Sequence, residues 1–383
     1  MKTYKLIYAF LAFAIIGCSK SDNGGDDGGK TPGADAAYNL LVTQDGLVSS
    51  TLINATPEIT TLNPAISPFE EMTMPDLVFK EGQVYTTYHK DTNCSGKLAQ
   101  FDFADNSSES LDLFLDMEDC NLIATAIAHS STRLYVAYGL QVSASKYDYF
   151  VRVIDPSKTE SNFVDVPLKA EQPDPTYIPK ELAYANNRLF ILGHDEDASD
   201  EYHLLVMDSA NNSLIHEVNL GFNVKQIFRN PSDNIIVSYS ELHSEVDSGT
   251  MEVTYTNYEP ATNPHFTGSK FNPFDDTGRM YYEMPPGSHS SYSIIPAVYD
   301  FANKLAVIYA YENFLTEAER NFEYEIESTS MVGYDEKNDY ILIGYKKTGS
   351  ANKGGLMRIK PAPEPELIDN LNVDGIPYKL FVK

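Results

Sequence analysis

Three histidines occupy similar places in the sequence and are the first candidates for chemistry. His89, His194 and His243 each lie at or just after the end of a short apolar segment. Imidazole is a common transition-metal ligand and changes its charge near neutral pH, so three converging rings would bind a metal or sense pH. Ordinary exposed or capping roles are the favoured interpretation, because the three segments are not all neighbours along the chain.

One acidic segment offers oxygen ligands for calcium. It contains Asp195, Asp197, Asp200 and Glu201 within seven residues, and Ca²⁺ binds carboxylate oxygens. The glycine of an EF-hand loop is missing, so a solvated acidic loop is the favoured interpretation and calcium is the alternative. We predict no other cofactor.

Lysines and tyrosines mark candidate ligand-binding positions. From Tyr340 to Lys360 the chain has no acidic residue, and Lys346 with Lys347 are candidates for holding an anionic group, although a solvated loop is the simpler interpretation. Five tyrosines lie at the ends of apolar segments: Tyr88, Tyr138, Tyr239, Tyr309 and Tyr345. An aromatic ring with a polar tip suits a ligand platform, and packing inside the fold would explain these residues equally well.

The sequence gives little support to catalysis or to nucleic-acid binding. It contains none of the motifs G-x-S-x-G, H-E-x-x-H and G-x-G-x-x-G, and no phosphate-binding loop. Its 55 acidic and 28 basic side chains give 383 residues a net charge of −27. This balance argues against a nucleic-acid partner, because such a protein needs enough Lys and Arg to displace counterions from phosphates.

The first residues are predicted to form a lipoprotein signal peptide. Lys2 and Lys5 precede an apolar run at 6–16, which suits a signal-peptide core and is too short to span a bilayer. Ile-Ile-Gly-Cys at 15–18 resembles the lipobox of bacterial lipoproteins, so residues 1–17 would be removed and Cys18 lipidated; an ordinary secretory peptide is the alternative. Removal leaves 26 basic and 55 acidic side chains, a net charge of −29.

An acidic tether is predicted to follow the lipidated cysteine. Residues 18–36 are rich in Gly, Asp and Ser and have almost nothing to bury, so they should be flexible. Ser21, Asp22 and the Asp26-Asp27 pair resemble the surface-export signal of Bacteroidetes lipoproteins. This resemblance implies an outer-membrane lipoprotein exposed at the cell surface, whereas a plain spacer would leave the protein facing the periplasm.

The two remaining cysteines are candidates for a disulfide. Cys94 and Cys120 lie in loops expected on the same face of the fold, and an exported protein is in an oxidising compartment. Loop-closure entropy predicts that a bridge over this spacing stabilises the protein by ~3.5 kcal/mol.

A repeated strand pattern has to position these side chains. Six times a polar turn leads into an apolar strand rich in β-branched and aromatic residues, with turns at Gly82, Thr132, Asn187, Asp233, Asn303 and Asn338. Asn, Asp and Gly reach the positive backbone angles of tight hairpins, so each apolar strand is predicted to be the second strand of a hairpin. The turns are separated by 50, 55, 46, 70 and 35 residues, and a mean near 51 fits a four-stranded blade.

The two ends of the sequence supply a seventh unit. Residues 376–382 (IPYKLFV) have no hairpin partner after them, and the strands at 38–43 and 48–54 have no first strand before them. Pairing the two ends closes a ring and removes exposed sheet edges. Helical periodicity is nearly absent, so we predict an all-β chain in which residues 37–383 form a β-propeller of seven four-stranded blades. A two-sheet or multi-sandwich arrangement is the alternative.

Strand pattern, ring closure and lipobox together resemble the seven-bladed YncE-like propellers. These include surface-lipoprotein propellers encoded beside TonB-linked uptake systems in Bacteroidetes. Because the chain has no Trp, it lacks the blade motifs of WD40 repeats, Asp-box sialidases and quinoprotein dehydrogenases. The resemblance implies a ligand-binding or transporter-docking lipoprotein in nutrient or siderophore uptake. Its partners would be the outer membrane, a TonB-dependent receptor, and a small molecule or glycan.

The long loops between second and third strands are the predicted recognition site. In a propeller they share one face with the connections between blades, and long loops on a rigid scaffold commonly bind ligands; solvated loops of variable length are the alternative. A binding protein is favoured because catalytic motifs are missing. The alternative is a propeller enzyme, a lactonase-like or sugar-active hydrolase, whose His and carboxylate groups would come together from different blades.

Overall fold

The computed structural model describes most of the chain after residue 33. Residues 34–383 are described, except 64–66, 91–94, 118–120, 145, 157–161, 170–175, 196–198, 261 and 267–270. The predicted signal peptide, Cys18, most of the tether, both cysteines of the predicted disulfide and Asp197 therefore lie outside the described residues. In the described part, no helix has the length and apolar character needed to cross a membrane.

The sheet that joins the two ends of the sequence confirms the predicted ring closure. Its strands follow the order β28 (Ile376–Val382), β1 (Ala36–Gln44), β2 (Leu47–Ala55) and β3 (Thr60–Asn63), and the short β4 (Met72–Thr73) also pairs with β2. Tyr38 on β1 lies opposite Val382 on β28, and the Lys383 amide donates to the Ala37 carbonyl over 2.7 Å. The first blade is thus built from both ends of the chain.

Five further sheets are antiparallel and contain four strands each, ordered as in the sequence. The second and third blades are β5 (Leu77–Glu81), β6 (Val84–Lys90), β7 (Gly96–Asp102) and β8 (Ser107–Leu113), then β9 (Leu122–His129), β10 (Leu134–Ser143), β11 (Lys146–Ile154) and β12 (Phe163–Pro167). The fourth and fifth are β13 (Ile178–Ala185), β14 (Arg188–Asp195), β15 (Glu201–Asp208) and β16 (Ser213–Gly221), then β17 (Gln226–Arg229), β18 (Ile235–Ser238), β19 (Leu242–Val246) and β20 (Val253–Asn257). The seventh is β24 (Ile326–Asp335), β25 (Tyr340–Lys347), β26 (Lys353–Lys360) and β27 (Glu366–Asp374).

The sixth blade differs from the predicted one. Its sheet is β21 (Arg279–Met284), β22 (Ile295–Asp300) and β23 (Leu305–Ile308). Residues 273–275 run antiparallel to the start of β21 on the edge opposite β22, where the Tyr281 amide donates to the Pro273 carbonyl over 2.9 Å. They therefore take the innermost position of this blade.

The predicted second strand of the sixth blade, LAVIYA after Asn303, was wrong. It is β23, the fourth and outermost strand, and Tyr309 follows its end. Turns between third and fourth strands use the same residues as turns between first and second strands, so turn chemistry did not distinguish the two hairpins.

Seven blades in a ring confirm the predicted all-β propeller. Hydrophobic clusters join neighbouring blades: for example, Leu41 and Phe381 of the first blade pack with Tyr85 and Phe101 of the second. The few helical turns are two short 3₁₀ segments, Gly287–His289 and Tyr311–Asn313, and one π-helical turn, Glu319–Glu323.

Antiparallel order places the connections on two faces. The short-turn face carries the hairpin turns that join first to second and third to fourth strands. At these turns Gly82, Asn187, Asp233 and Asp339 have φ angles of 54°, 57°, 63° and 58°, the left-handed values that their residue types favour. The loop face carries the second-to-third connections and the connections between blades. The connection between β18 and β19 is shorter than the long loop that we predicted after the second strand, because the residues after Glu241 form β19.

Candidate functional site

A channel lies at the centre of the ring. It encloses about 600 Å³ and is lined by the innermost strand or segment of six blades together with β28. Along β5 the lining extends from Asp76 on the loop face to Gln83 on the short-turn face. Ligand sites in proteins are commonly concave, partly apolar and of this size, so the channel is the candidate binding site.

Two contacts cross the channel between blades that are not neighbours. Glu81 on β5 pairs with Arg229 on β17, with 2.9 Å between Oε1 and Nη1. Burial raises the pKa of Glu81, and the Arg229 charge opposes this rise. The rings of Phe79 and Phe271 meet edge to face with centroids 5.3 Å apart. The ion pair and the two rings therefore connect opposite walls of the channel.

Three further ionisable side chains line the channel near one another. Burial and, to a smaller extent, the charge of Lys379 lower the pKa of Lys80 to about 8. Burial also lowers the pKa of Lys379, against the attraction of Glu283. Burial raises the pKa of Glu283, and Lys379 opposes this rise. Each charged form is disfavoured in the channel interior, because water is replaced there by less polar surroundings.

Most of the predicted tyrosine platform packs inside the fold. Tyr88, Tyr138, Tyr309 and Tyr345 are buried. The Tyr309 hydroxyl accepts from the Ala362 amide over 2.9 Å, and the Tyr345 hydroxyl donates to Asn370 over 3.1 Å. Tyr239 is half-buried and donates to the Leu220 carbonyl. Their packing corresponds to the alternative that the sequence left open, and none of the five lines the channel.

The structure does not bring the three predicted histidines together. His89 and His194 end second strands, on β6 and β14, whereas His243 lies on β19, a third strand. His243 is buried among aromatic rings with its Nδ1 2.9 Å from the Tyr258 hydroxyl, and burial lowers its pKa to about 4. His194 Nε2 lies 2.9 Å from Asp200. Each ring thus has its own set of partners: Asp200 of the same blade for His194, Tyr258 with Tyr299 of the sixth blade for His243, and Met72 of β4 for His89.

His89 lies on the wall of a second cavity of about 570 Å³ at the outer part of the second blade. Its Nε2 is 3.2 Å from the Met72 sulfur, and burial lowers its pKa. Glu70, Lys97 and Asp112 also line this cavity. The ring is therefore half-buried and outside the central channel.

The structure also shows the surroundings of the residues predicted to bind calcium or an anion. Of the acidic segment, Asp195 is buried, and Asp200 and Glu201 follow it. In the described residues, no group of three or more His, Cys, Asp or Glu side chains is arranged to hold a metal ion. Lys346 pairs with Glu327 at 2.6 Å and Lys347 with Glu325 at 3.8 Å. Carboxylates from β24 and the preceding loop therefore partly neutralise this basic pair.

Sequence reasoning missed Lys80 and Lys379 as site residues, although it predicted the strand at 376–382 and a hairpin at Gly82, whose first strand carries Lys80. Each is a lysine within an apolar innermost strand, in LVFKE at 77–81 and IPYKLFV at 376–382. A charged residue in an innermost propeller strand has little room except toward the channel. A lysine within an apolar innermost strand was therefore the sequence pattern that could have indicated these two channel residues.

Comparisons with known proteins support the fold. No protein-family model matches the chain, and no curated protein matches it in sequence. Similar solved structures include a protein from Lactobacillus plantarum, with 10% identity, a TM-score of 0.52, and 91% and 99% of the two chains covered. A Bacteroides fragilis protein proposed to be a 6-phosphogluconolactonase has 11% identity, a TM-score of 0.51, and 94% and 100% coverage. Apo AztD from Citrobacter koseri has 8% identity, a TM-score of 0.48, and 91% and 98% coverage. At these identities the similarity concerns the fold alone.

Proposed function

We propose that the protein is a surface-anchored lipoprotein whose propeller binds a small molecule in its central channel. The observation that carries this proposal is the channel itself, about 600 Å³ in volume, into which aromatic rings and ionisable side chains converge from several blades. The lipobox at Cys18 and the acidic tether support outer-membrane anchoring and surface exposure. Uptake of the bound molecule, as a nutrient or siderophore, is the role that this combination favours.

The two ends of the propeller meet on the short-turn face, where strand β1 begins beside Val382. The loop face is the opposite surface. We propose that the loop face, with its longer connections, is the surface that contacts a transporter such as a TonB-dependent receptor.

An enzyme remains the less favoured function. A hydrolase of the kind considered above needs a histidine and carboxylates within hydrogen-bond reach in one pocket. The described lining of the channel includes lysines, carboxylates and aromatic rings but no histidine. His129 lies behind Phe79 with its Nδ1 2.8 Å from the Thr86 hydroxyl, and burial lowers its pKa to about 4. The His129 ring is therefore neutral at physiological pH, and its Nδ1 already has a hydrogen-bond partner in Thr86.

A tryptophan reporter tests binding in the channel. Because the chain has no Trp, the F271W variant places a single indole at the channel. Titration with the neutral dye N-phenyl-1-naphthylamine should change the indole emission in a saturable manner. The matched variant F322W, at a loop-face position that is 80% exposed, should show a much smaller change. Equal responses of the two variants, or no saturation, would contradict the proposal.

A further inference from the structure

Two lysines of the channel, Lys80 and Lys379, lie against aromatic rings. The Lys80 ammonium lies 4.9 Å from the centre of the Phe381 ring, and the Lys379 ammonium lies 5.4 Å from that of Tyr378. Within the described part of the chain, neither ammonium has a carboxylate oxygen inside the 4.0 Å of an ion pair. Their positive charges face aromatic rings and the channel space.

Other buried cations of this protein are paired. Arg152 is almost completely buried and contacts Asp116 at 2.7 Å and Asp165 at 2.8 Å. Arg358 is equally buried and contacts Asp369 at 2.9 Å. A chain with 55 acidic side chains has ample carboxylates to offer. The two buried arginines therefore have carboxylate partners, and the two channel lysines differ from them in this respect.

The charges around the two lysines leave room for one anion. Glu283 is the acidic residue whose charge acts on Lys379. Glu81, next to Lys80 in the sequence, pairs with Arg229 across the channel. Asp76, Lys180, Glu181 and Glu336 also line the channel, but their charges are not among those that shift the pKa of Lys80 or Lys379. Among the groups that do act on them, two protonated lysines against Glu283 leave one positive charge without a counter-charge. An entering anion would accept charge-assisted hydrogen bonds from ammonium groups that have no carboxylate partner.

The channel also requires an apolar part in its ligand. Phe79 and Phe271 meet across it, and Tyr378 lies beside Lys379. A volume of about 600 Å³ greatly exceeds what an inorganic ion fills. Flat rings bind best to such aromatic walls, because they bury area and make stacked or edge contacts.

We infer that the channel ligand is a small organic monoanion, a carboxylate carried by a flat apolar body. The carboxylate binds between Lys80 and Lys379, and the body packs against Phe79 and Phe271. This inference rests on the proposed function, since it specifies the chemistry of the molecule that the channel binds.

Calorimetric titration of the unmodified protein with a matched pair of probes tests the inference. The probes are 2-naphthoate and its neutral analogue 2-naphthamide, at pH 7. A charged hydrogen-bonded group contributes about 1.5–3 kcal/mol, so 2-naphthoate should bind on the order of 10- to 100-fold tighter. The K80M and K379M variants should each lose about 10-fold or more of the naphthoate affinity and keep the naphthamide affinity. The K346M variant should bind both probes like the unmodified protein.

Each contrary result has a distinct meaning. Equal affinities for the two probes would overturn the anion inference and leave channel binding intact. Naphthoate binding that depends on Lys346 but not on Lys80 or Lys379 would place the anion site on the loop face and overturn the inference. Binding of neither probe, with a saturable dye response in F271W, would refute only the anion chemistry. Loss of the dye response as well would refute the proposed function too.

Discussion

Replacing Lys80 with Met should stabilise the ligand-free protein. In the native channel, burial and the charge of Lys379 lower the pKa of Lys80 from 10.5 to about 8. This difference in pKa means that the protonated lysine costs the folded state about 3 kcal/mol. Methionine keeps the apolar stem beside Phe381 and removes the charge.

The stabilisation should depend on pH in a defined direction. The unfolded chain holds the Lys80 proton more tightly than the native chain, so the cost is fully present below pH 8 and disappears as the pH rises toward 10.5. The charges that face Lys80 are those of Lys379 and, farther along the channel, Glu283 and the Glu81–Arg229 pair. The free energy of unfolding of K80M should therefore exceed that of the unmodified protein by up to about 3 kcal/mol at pH 7 and by little at pH 10.5.

Urea unfolding of both proteins at the two pH values measures the difference. Circular dichroism of the β-sheet gives the midpoint and the slope, and an unchanged slope shows that the same surface is exposed on unfolding. The control is K225M, which removes an exposed lysine on the connection between β16 and β17 and should change stability by less than about 0.5 kcal/mol. A K80M protein that is less stable at pH 7, or whose advantage is the same at both pH values, would refute the reasoning.

Three further predictions concern the ion pair across the channel and the cysteines. E81Q should change the free energy of unfolding at pH 7 by less than about 1 kcal/mol, because the burial cost of the Glu81 charge and its attraction to Arg229 oppose each other and the pair is partly exposed. Urea unfolding in 1 M salt should shift the difference in favour of E81Q, since salt screens the attraction that only the unmodified protein has; a difference that is unchanged in salt would argue against an electrostatic cause. Cys94 and Cys120 should resist alkylation in unfolded, unreduced protein and react after reduction, as measured by mass spectrometry; labelling of both before reduction would exclude the bridge. C18S should move the protein from the membrane to the soluble fraction on cell fractionation, and retention in the membrane would refute lipidation at this residue.

Much of the fold could be predicted because its signals are local. Asn187 and Asp339 have the positive φ angles that their turns require, and the apolar strands after them are the predicted second strands. The sixth blade could not be placed, because the turn at Asn303 has the same local chemistry although it joins outer strands. Its innermost segment at 273–275 makes few strand-type hydrogen bonds and begins with Pro273, so strand propensity gives no indication of it.

The candidate site was less predictable, because it depends on contacts between distant parts of the chain. Whether Tyr88 points to solvent or to a neighbouring blade depends on strand register and twist, which the residue type does not reveal. Lys346 looked like a free cation in an acid-free segment, yet Glu327 from the adjacent strand pairs with it. Conversely, Lys80 is followed directly by Glu81, so the sequence suggests a nearby acidic partner. The structure pairs Glu81 with Arg229 across the channel instead.

The closing strand β28 gives ligand binding a second consequence. Lys379 lies on β28 of the first blade and Lys80 on β5 of the second. A molecule held between them therefore ties the last strand of the chain to the second blade, beside the seam where β28 pairs with β1. A ligand that binds only the closed ring stabilises that ring by its own binding free energy. The bound molecule would therefore hold β28 against the second blade and oppose opening of the ring between β28 and β1.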